Sequence, residues 1–463
     1  MKIGEIRRKT GGIESFYGGG NKRMNQFMRL LEEKFMPIAA KVGEQRHLQA
    51  IRDGIIMTVP LVMIGSLFLI LGFLPIKGYE SFMANIFGDS WQSNLLYPVG
   101  VTFDLLAIFI AFGVAYRLAE RYQLDPLSIA IISVACFMLV TPYKISFTPE
   151  GADKTYEVTG IPLALTGSKG MFVAIIIAIL TTEIYRFVVK RNIVIKMPDG
   201  VPPSVAKSFA ALLPGFAVIL TVWLLRLLLQ VTPFENMHNI VSTLLGKPLS
   251  LLGGSLAGAI IAVMVAQMLW VTGIHGQAIV WGIMSPIWLA LVDENRIAFT
   301  SGKEIPNIVN VQFMDIFYSI GGSGTTLGLA LLLVLKSRSQ QLKQLGRLAI
   351  APGLFNINEP IIFGLPMVMN PIMMIPFILV PVVIVSVSYF AMDLGLVAKT
   401  AGVMVPWTTP VGIGGFLATG GKISGAILQL FNVALSAALY YPFFRIWDNQ
   451  KYKEEHQMKK EVS

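Results

Sequence analysis

Two side chains that could carry acid–base chemistry stand in otherwise apolar stretches of this sequence. Glu359 lies in the run Phe355-Asn-Ile-Asn-Glu-Pro-Ile-Ile-Phe-Gly364, and His275 lies in Trp270-Val-Thr-Gly-Ile-His-Gly-Gln277. Placing a carboxylate near the centre of a bilayer costs roughly 2.5–3.5 kcal/mol, so such a group usually faces a polar pathway or takes part in chemistry. A histidine can donate or accept a hydrogen bond near neutral pH. We therefore predict Glu359 and His275 as catalytic residues.

Each of these two residues also has a purely structural interpretation. Glu359 could be a buried acid paired with a Lys or Arg of a neighbouring helix, although no basic residue lies between Ala351 and Tyr389. His275 could be a histidine that is hydrogen-bonded at a helix end. The occurrence of both residues in the same half of the chain favours a functional role for each.

Polar, glycine and aromatic residues near this pair in the sequence are predicted to bind the substrate. Asn356 and Asn358 bring amide donors and acceptors, and Gly276 allows a ligand to approach the backbone closely. Trp407 is held between Pro406 and the run Thr408-Thr409-Pro410. An indole face packs well against the apolar face of a sugar ring, whereas a small ion gains little from it.

The composition predicts a polytopic membrane protein. Of the 463 residues, 54% are hydrophobic and 14% charged, against about 25% charged in soluble proteins. The net charge of +10 does not indicate a nucleic-acid partner, because the basic residues cluster beside apolar segments as in cytoplasmic loops. The single cysteine, Cys136, excludes disulfide frameworks, and the four histidines lack zinc-site spacing. We expect no metal and no cofactor.

The spacing of apolar segments predicts an all-α fold with about ten transmembrane helices. The expected spans lie near 54–74, 98–117, 126–142, 170–189, 208–230, 250–270, 276–292, 311–335, 371–391 and 423–446. The segments 351–368 and 395–420 carry Pro and Gly in their middles, so we predict re-entrant hairpins there. An interfacial amphipathic helix is expected near 234–251. The basic loops place both termini on the cytoplasmic side of the membrane.

The two halves of the sequence differ in composition. Residues 54–230 contain apolar segments with few polar breaks, whereas residues 250–446 contain most of the Gly, Pro, Asn and Trp within apolar segments. This difference suggests that the halves have separate roles. We predict a cytoplasmic N-terminal segment (1–53), a helical scaffold (54–231), an amphipathic connector (232–249), a working domain (250–447) that carries the candidate site residues, and a cytoplasmic tail (448–463). The run Gly321-Gly-Ser-Gly-Thr-Thr326 lacks the lysine of a phosphate-binding loop, so we interpret it as close packing of helices. Glu183 has Arg186 one turn away, which predicts a local ion pair.

At His275 and the run Asn356–Gly364 the chain resembles the lactose/cellobiose-type membrane component, enzyme IIC, of bacterial sugar phosphotransferase systems. Within that family it is most similar to the diacetylchitobiose and cellobiose permeases. The resemblance implies a homodimer in the bacterial inner membrane, formed through the N-terminal domain (54–231), and a C-terminal sugar-binding transport domain (250–447). It further implies elevator-like movement of a β-linked disaccharide, whose 6-hydroxyl is then phosphorylated. Glu359 and His275 would contact that hydroxyl, Asn358 would hydrogen-bond the sugar, and Trp270 and Trp407 would pack on it.

The resemblance also implies soluble partners. The family's phosphoryl donor is a phosphocysteine on a IIB protein or domain, and Cys136 does not match such a site. The chain therefore resembles IIC alone, with IIB and IIA as separate proteins, and its own status as an enzyme stays open.

Two other functions remain as alternatives. In an ion-coupled sugar transporter, Glu359 would be a proton relay. In an intramembrane hydrolase, Glu359 and His275 would act as acid and base, but a glycosidase normally needs a second carboxylate about 5–9.5 Å away.

Overall fold

The computed structural model describes residues 44–74, 76–148, 156–198, 200–365 and 371–462, together with positions 37, 41, 154 and 367. In this part of the chain the first half is a bundle of helices. Its elements are α1 (Arg46–Ile56), α2 (Val59–Gly72), α3 (Tyr79–Phe87), α4 (Trp91–Phe103), α5 (Leu106–Arg121), α6 (Pro126–Val140), β1 (Lys144–Phe147), β2 (Tyr156–Thr159), α7 (Leu163–Thr166), α8 (Met171–Lys190), α9 (Pro203–Ala210) and α10 (Leu212–Gln230).

The small residues of α5 explain its central position in this half. Ala107, Ala111 and Ala115 are fully buried and leave room for neighbouring helices to approach closely. Where α1 crosses α5, a Cβ on Gly54 would meet the backbone of Val114 at 2.6 Å. The two helices therefore touch backbone to backbone at this crossing.

A two-stranded sheet departs from the all-α prediction. Strands β1 and β2 pair antiparallel with Lys144 opposite Thr159, between the spans predicted near 126–142 and 170–189. The predicted ion pair of Glu183 with Arg186 is confirmed at 3.1 Å, and His47 binds the same carboxylate at 2.9 Å. Cys136 is buried.

The second half alternates helices with irregular backbone. Its helices are α11 (Met237–Val241), α12 (Lys247–Gly253), α13 (Leu256–Val271), α14 (Gly276–Thr300), α15 (Leu327–Lys336), α16 (Gln340–Leu354), α17 (Glu359–Gly364), α18 (Pro371–Asp393), α19 (Ile413–Ala418) and α20 (Ile423–Val462). Single π-helical turns occur at Ser242–Gly246 and Phe313–Tyr318.

Among the described residues, seven helices are long and apolar enough to cross a membrane, or eight if a pair bent by 78° counts as one span. Helices α6 and α15 are apolar but shorter. The span predicted near 311–335 is not one helix, because three glycines with positive φ (Gly321, Gly322 and Gly324) interrupt it. Residues 321–326 therefore form a loop and not part of a helix, but the close packing predicted for them is present, since a Cβ on Gly321 would overlap the backbone N of Leu327.

A buried cluster of charged residues joins the two halves of the chain. Arg296 of α14 contacts Asp104, at the end of α4, at 2.8 Å and Asp293 at 2.7 Å. Ser168 donates a hydrogen bond of 2.5 Å to Asp293. We call these four residues the Arg296 cluster. Arg296 also lies over the ring of Phe103, 4.8 Å from its centroid.

Candidate functional site

The loop Ser319–Thr326, here called the central loop, is contacted by side chains from the segments that carry the predicted site residues. Three of its glycines and Thr325 have positive φ, between 55° and 85°. L residues with side chains rarely adopt this conformation, which explains the glycine content. A Cβ on Gly322 would lie 2.5 Å from Cγ of Asn358, so the central loop and the Asn356–Glu359 segment are in direct contact.

Asn356 links the central loop to the segment that carries Trp407. Its Oδ1 accepts a hydrogen bond from the backbone N–H of Gly321 at 2.7 Å, and its Nδ2 donates to the carbonyl of Trp407 at 2.5 Å. Asn356 itself has a φ of 61°, a conformation that asparagine tolerates better than most residues. The two segments predicted as hairpins therefore meet at this side chain.

Asn358 holds the central loop from the same side. Its Nδ2 donates to the carbonyl of Ser323 at 2.5 Å and to Oγ1 of Thr326 at 3.0 Å. The structure records no hydrogen bond to Oδ1 of Asn358 within the described residues, so an acceptor remains for a ligand hydroxyl.

Two glutamines that the sequence analysis missed tie α13 and α14 to the central loop. Gln267 donates to Oγ of Ser323 at 3.1 Å, and Gln277 donates to Oγ of Ser319 at 3.0 Å. Gln267 is fully buried. A fully buried amide in an apolar helix needs hydrogen-bond partners, and this was the signal available in the sequence.

His275 precedes α14 and caps it. Its Nδ1 accepts a hydrogen bond from the backbone N–H of Ala278 at 3.1 Å, as expected for a histidine at a helix end. A neutral imidazole that accepts through Nδ1 carries its proton on Nε2. The side chain is exposed, so this N–H can serve as a donor to a ligand.

Trp270 and Gly276 are buried neighbours of this histidine. The rings of Trp270 and His275 lie 4.2 Å apart between centroids and are inclined by 44°. Trp270 is buried, and its Nε1 has no hydrogen-bond partner among the described residues. A Cβ on Gly276 would overlap the carbonyl oxygen of Ala266, so close approach of α13 and α14 already requires glycine here. Contact between Gly276 and a substrate stays a prediction.

Glu359 is the first residue of α17, and its side chain is exposed. The described residues provide it with no hydrogen bond and no ion pair, so a Lys or Arg partner is not found there. Glu359 and His275 both lie at exposed positions, and the acid has no protein partner in the described part of the chain, so each can receive a ligand.

Exposure divides the seven predicted site residues into two groups. Glu359, His275 and Trp407 are exposed, and Trp407 has 49% of its surface accessible. Asn356, Asn358, Trp270 and Gly276 are buried beneath them. The described residues contain no group of three or more His, Cys, Asp or Glu side chains that could hold a metal ion.

The chain matches a known protein family and a solved structure over most of its length. The family described as "Phosphotransferase system, EIIC" matches residues 52–381. A crystal structure of the transporter ChbC, the IIC component from the N,N'-diacetylchitobiose-specific phosphotransferase system, superposes with a TM-score of 0.90 at 54% identity. It covers 92% of this chain and 99% of that chain.

Curated relatives extend the comparison. The cellobiose-specific EIIC component of Geobacillus stearothermophilus is 63% identical over 93% of this chain and 96% of its own length. The lichenan permease IIC component of Bacillus subtilis is 58% identical over 94% and 96%. The lactose-specific EIICB component of Staphylococcus epidermidis is 29% identical over 93% of this chain but only 72% of its own length.

Proposed function

The chain belongs to the EIIC family of the phosphotransferase system, and from this premise we propose that it transports a β-linked disaccharide. Cellobiose and diacetylchitobiose are the leading candidates, because they appear in the names of relatives that are more than half identical to this chain. The sugar crosses the inner membrane and presents its 6-hydroxyl for phosphorylation by a separate IIB protein.

The arrangement of Glu359 and His275 carries this proposal. Both side chains are exposed, and the aromatic ring of Trp270 lies directly beside the imidazole of His275. An aromatic surface next to a hydrogen-bond donor and a free carboxylate suits a sugar that has an apolar ring face and hydroxyl groups at its edge.

The chemical roles follow from the protonation states. As a carboxylate with no protein partner among the described residues, Glu359 is proposed to accept the proton of the sugar 6-hydroxyl as the phosphoryl group arrives, which is general-base catalysis. His275 donates its Nε2 hydrogen to a sugar oxygen, and Asn358 offers its free Oδ1. Phosphoryl transfer depends chiefly on positioning and on stabilisation of charge.

The proposed architecture has about ten crossings, with the segments 351–368 and 395–420 as re-entrant hairpins and both termini cytoplasmic. The hydrogen bond from Asn356 to the carbonyl of Trp407 supports this arrangement, since the tips of two hairpins that enter from opposite sides would meet inside the membrane. The scaffold is residues 54–231, the connector 232–249 and the transport domain 250–447. An elevator-like movement of the transport domain would carry the sugar.

The partners of the proposed cycle are soluble IIA and IIB proteins and a second copy of this chain. Cys136 is fully buried in α6, which is incompatible with a phosphocysteine that must be loaded and emptied by other proteins. The phosphoryl group therefore comes from outside this polypeptide.

The test is sugar uptake into membrane vesicles that contain the protein together with soluble IIA, IIB and the general phosphotransferase components. We expect labelled cellobiose or diacetylchitobiose to accumulate as the phosphorylated sugar, only when phosphoenolpyruvate is supplied, and unaffected by a protonophore. Vesicles without IIB serve as the control. Accumulation of unmodified sugar that collapses with the proton gradient would establish the ion-coupled transporter instead.

A second expected result concerns Trp407. Replacement by alanine should weaken disaccharide binding by about 1–3 kcal/mol, the scale of one large buried apolar contact. The fold should survive because Asn356 contacts only the backbone carbonyl of Trp407, which alanine retains. Titration calorimetry on purified protein measures the change, and Trp223→Ala, an exposed tryptophan of α10, is the matched control. Unchanged affinity would assign Trp407 to the role of an interfacial anchor.

A further inference from the structure

The C-terminal part of α20 reaches well beyond the length needed to cross a membrane. The helix has 40 residues, which corresponds to about 60 Å at 1.5 Å per residue. Between Asp448 and Glu455, α20 lies against the start of α16. Helix α16 ends two residues before Asn356. The predicted cytoplasmic tail is thus a continuation of a helix that packs on the candidate site's own supporting elements.

Two carboxylates of α20 bind the start of α16. Asp448 is fully buried, and its Oδ1 accepts hydrogen bonds from the backbone N–H groups of Arg338 and Ser339, each at 3.0 Å. Glu455, seven residues later on the same face, accepts from the backbone N–H groups of Gln340 at 3.1 Å and Gln341 at 2.9 Å.

The hydroxyl of Ser339 completes this arrangement. Its Oγ donates to Glu455 at 2.6 Å and accepts from the backbone N–H of Leu342 at 3.2 Å. The first turn of α16 has no acidic residue of its own. A helix N-terminus has free N–H groups and a partial positive charge, so α16 takes its compensating negative charges from another helix.

The same helix also contacts the central loop. Tyr440 donates to the carbonyl of Gly324 at 2.7 Å, and Ser436 donates to the carbonyl of Thr325 at 2.6 Å. Helix α20 therefore binds both structures that hold the Asn356–Glu359 segment, namely the central loop through its middle and α16 through its end.

We infer that Asp448 and Glu455 are positioning residues for the substrate site, because they fix α16 relative to the central loop and so set the position of Glu359. The inference rests on the proposed function only for the identity of the ligand. The mechanical link from α20 through α16 to the Asn356–Glu359 segment is independent of what binds there.

Hydrogen exchange measured by mass spectrometry on the full-length protein in detergent tests the link without a ligand. In Asp448→Asn the new amide places a donor against a backbone N–H, and in Glu455→Gln the negative charge is lost. We expect faster exchange of residues 338–342 in both variants and, as the decisive result, of residues 356–361 as well. Faster exchange confined to 338–342 would show that the carboxylates cap α16 and do nothing more, which would overturn the inference.

Binding of cellobiose or diacetylchitobiose provides the second measurement. Loss of one such cap should raise the dissociation constant by about tenfold at a temperature where the variant is fully folded. Gln340→Glu in the Glu455→Gln background gives α16 an acid of its own and should restore most of the affinity. Glu454→Gln, whose carboxylate pairs with Lys451 instead, is the control. If the unaltered protein binds neither sugar, the proposed function fails while the exchange result still decides the inference.

If Asp448→Asn fails to fold, Glu455→Gln carries the test, because Glu455 lies at the partly exposed end of the contact. Wild-type affinity and wild-type exchange at 356–361 in a folded Glu455→Gln protein would then refute the inference for that residue.

Discussion

Glu359→Gln should reduce phosphosugar formation by about 100-fold or more, the range that removal of a general base typically produces. The amide can still hydrogen-bond a sugar hydroxyl, but it cannot take the proton as the phosphoryl group arrives. Binding should therefore be retained in part. The variant should fold normally, because the described residues form no hydrogen bond or ion pair with the carboxylate.

The assay is phosphosugar formation by membranes supplied with soluble IIA, IIB and phosphoenolpyruvate, read beside equilibrium binding of the same disaccharide. Glu304→Gln, an exposed glutamate near the end of α14, is the matched control for loss of one negative charge. Phosphorylation at the wild-type rate would mean that Glu359 is structural and would remove the central residue of the proposed mechanism.

Arg296→Met should destabilise the protein by about 3–5 kcal/mol, the cost of breaking a buried ion pair by removing one partner. The reason is that Asp293, whose side chain is 5% exposed, would remain in the interior without its guanidinium partner, and the half-buried Asp104 would lose the same partner. Arg296 is only 7% exposed, so water cannot easily replace its contact with Asp293. Loss of thermal stability in detergent, followed by size-exclusion chromatography after heating, measures the effect.

Combining Arg296→Met with Asp104→Asn and Asp293→Asn separates charge from packing. We expect this triple variant to recover most of the lost stability, because neutral amides cost far less to bury than unpaired carboxylates. Arg347→Met, which removes an exposed arginine with no recorded ion pair in the described chain, should change stability very little. A triple variant as unstable as Arg296→Met would contradict the electrostatic explanation.

The chemical groups of the site could be predicted from sequence, but their assembly could not. Glu359 and His275 stood out because a polar side chain in an apolar stretch is costly wherever it lies. The roles of Asn356 and Asn358 in clamping the central loop depend on partners more than 30 residues away, and no local pattern reveals them. Their predicted contacts with substrate remain untested.

Long-range pairing also explains what the sequence analysis missed in the fold. Asp104 and Arg296 are separated by 192 positions, so neither residue indicates the other. The span near 311–335 was wrongly predicted as one helix because small residues serve both tight helix contacts and turns, and only the backbone φ angles distinguish the two uses. Helix α8 was predictable because its apolar length alone defines it, whereas the span predicted near 98–117 is divided between α4 and α5.

The close contacts of the central loop limit which positions of this protein can be substituted to change its sugar selectivity. A side chain at Gly321, Gly322 or Gly324 would collide with Leu327, Asn358 or Phe377, so each of these positions is closed to variation. Asn356 is similarly restricted by its φ angle and its two bonded amide atoms. We therefore expect new selectivity to arise from exposed positions such as Trp407, where Asn356 bonds only the backbone carbonyl. To obtain selectivity for another disaccharide, exposed positions such as Trp407 should be randomised, and Asn356 and the glycines of the central loop should be left unchanged.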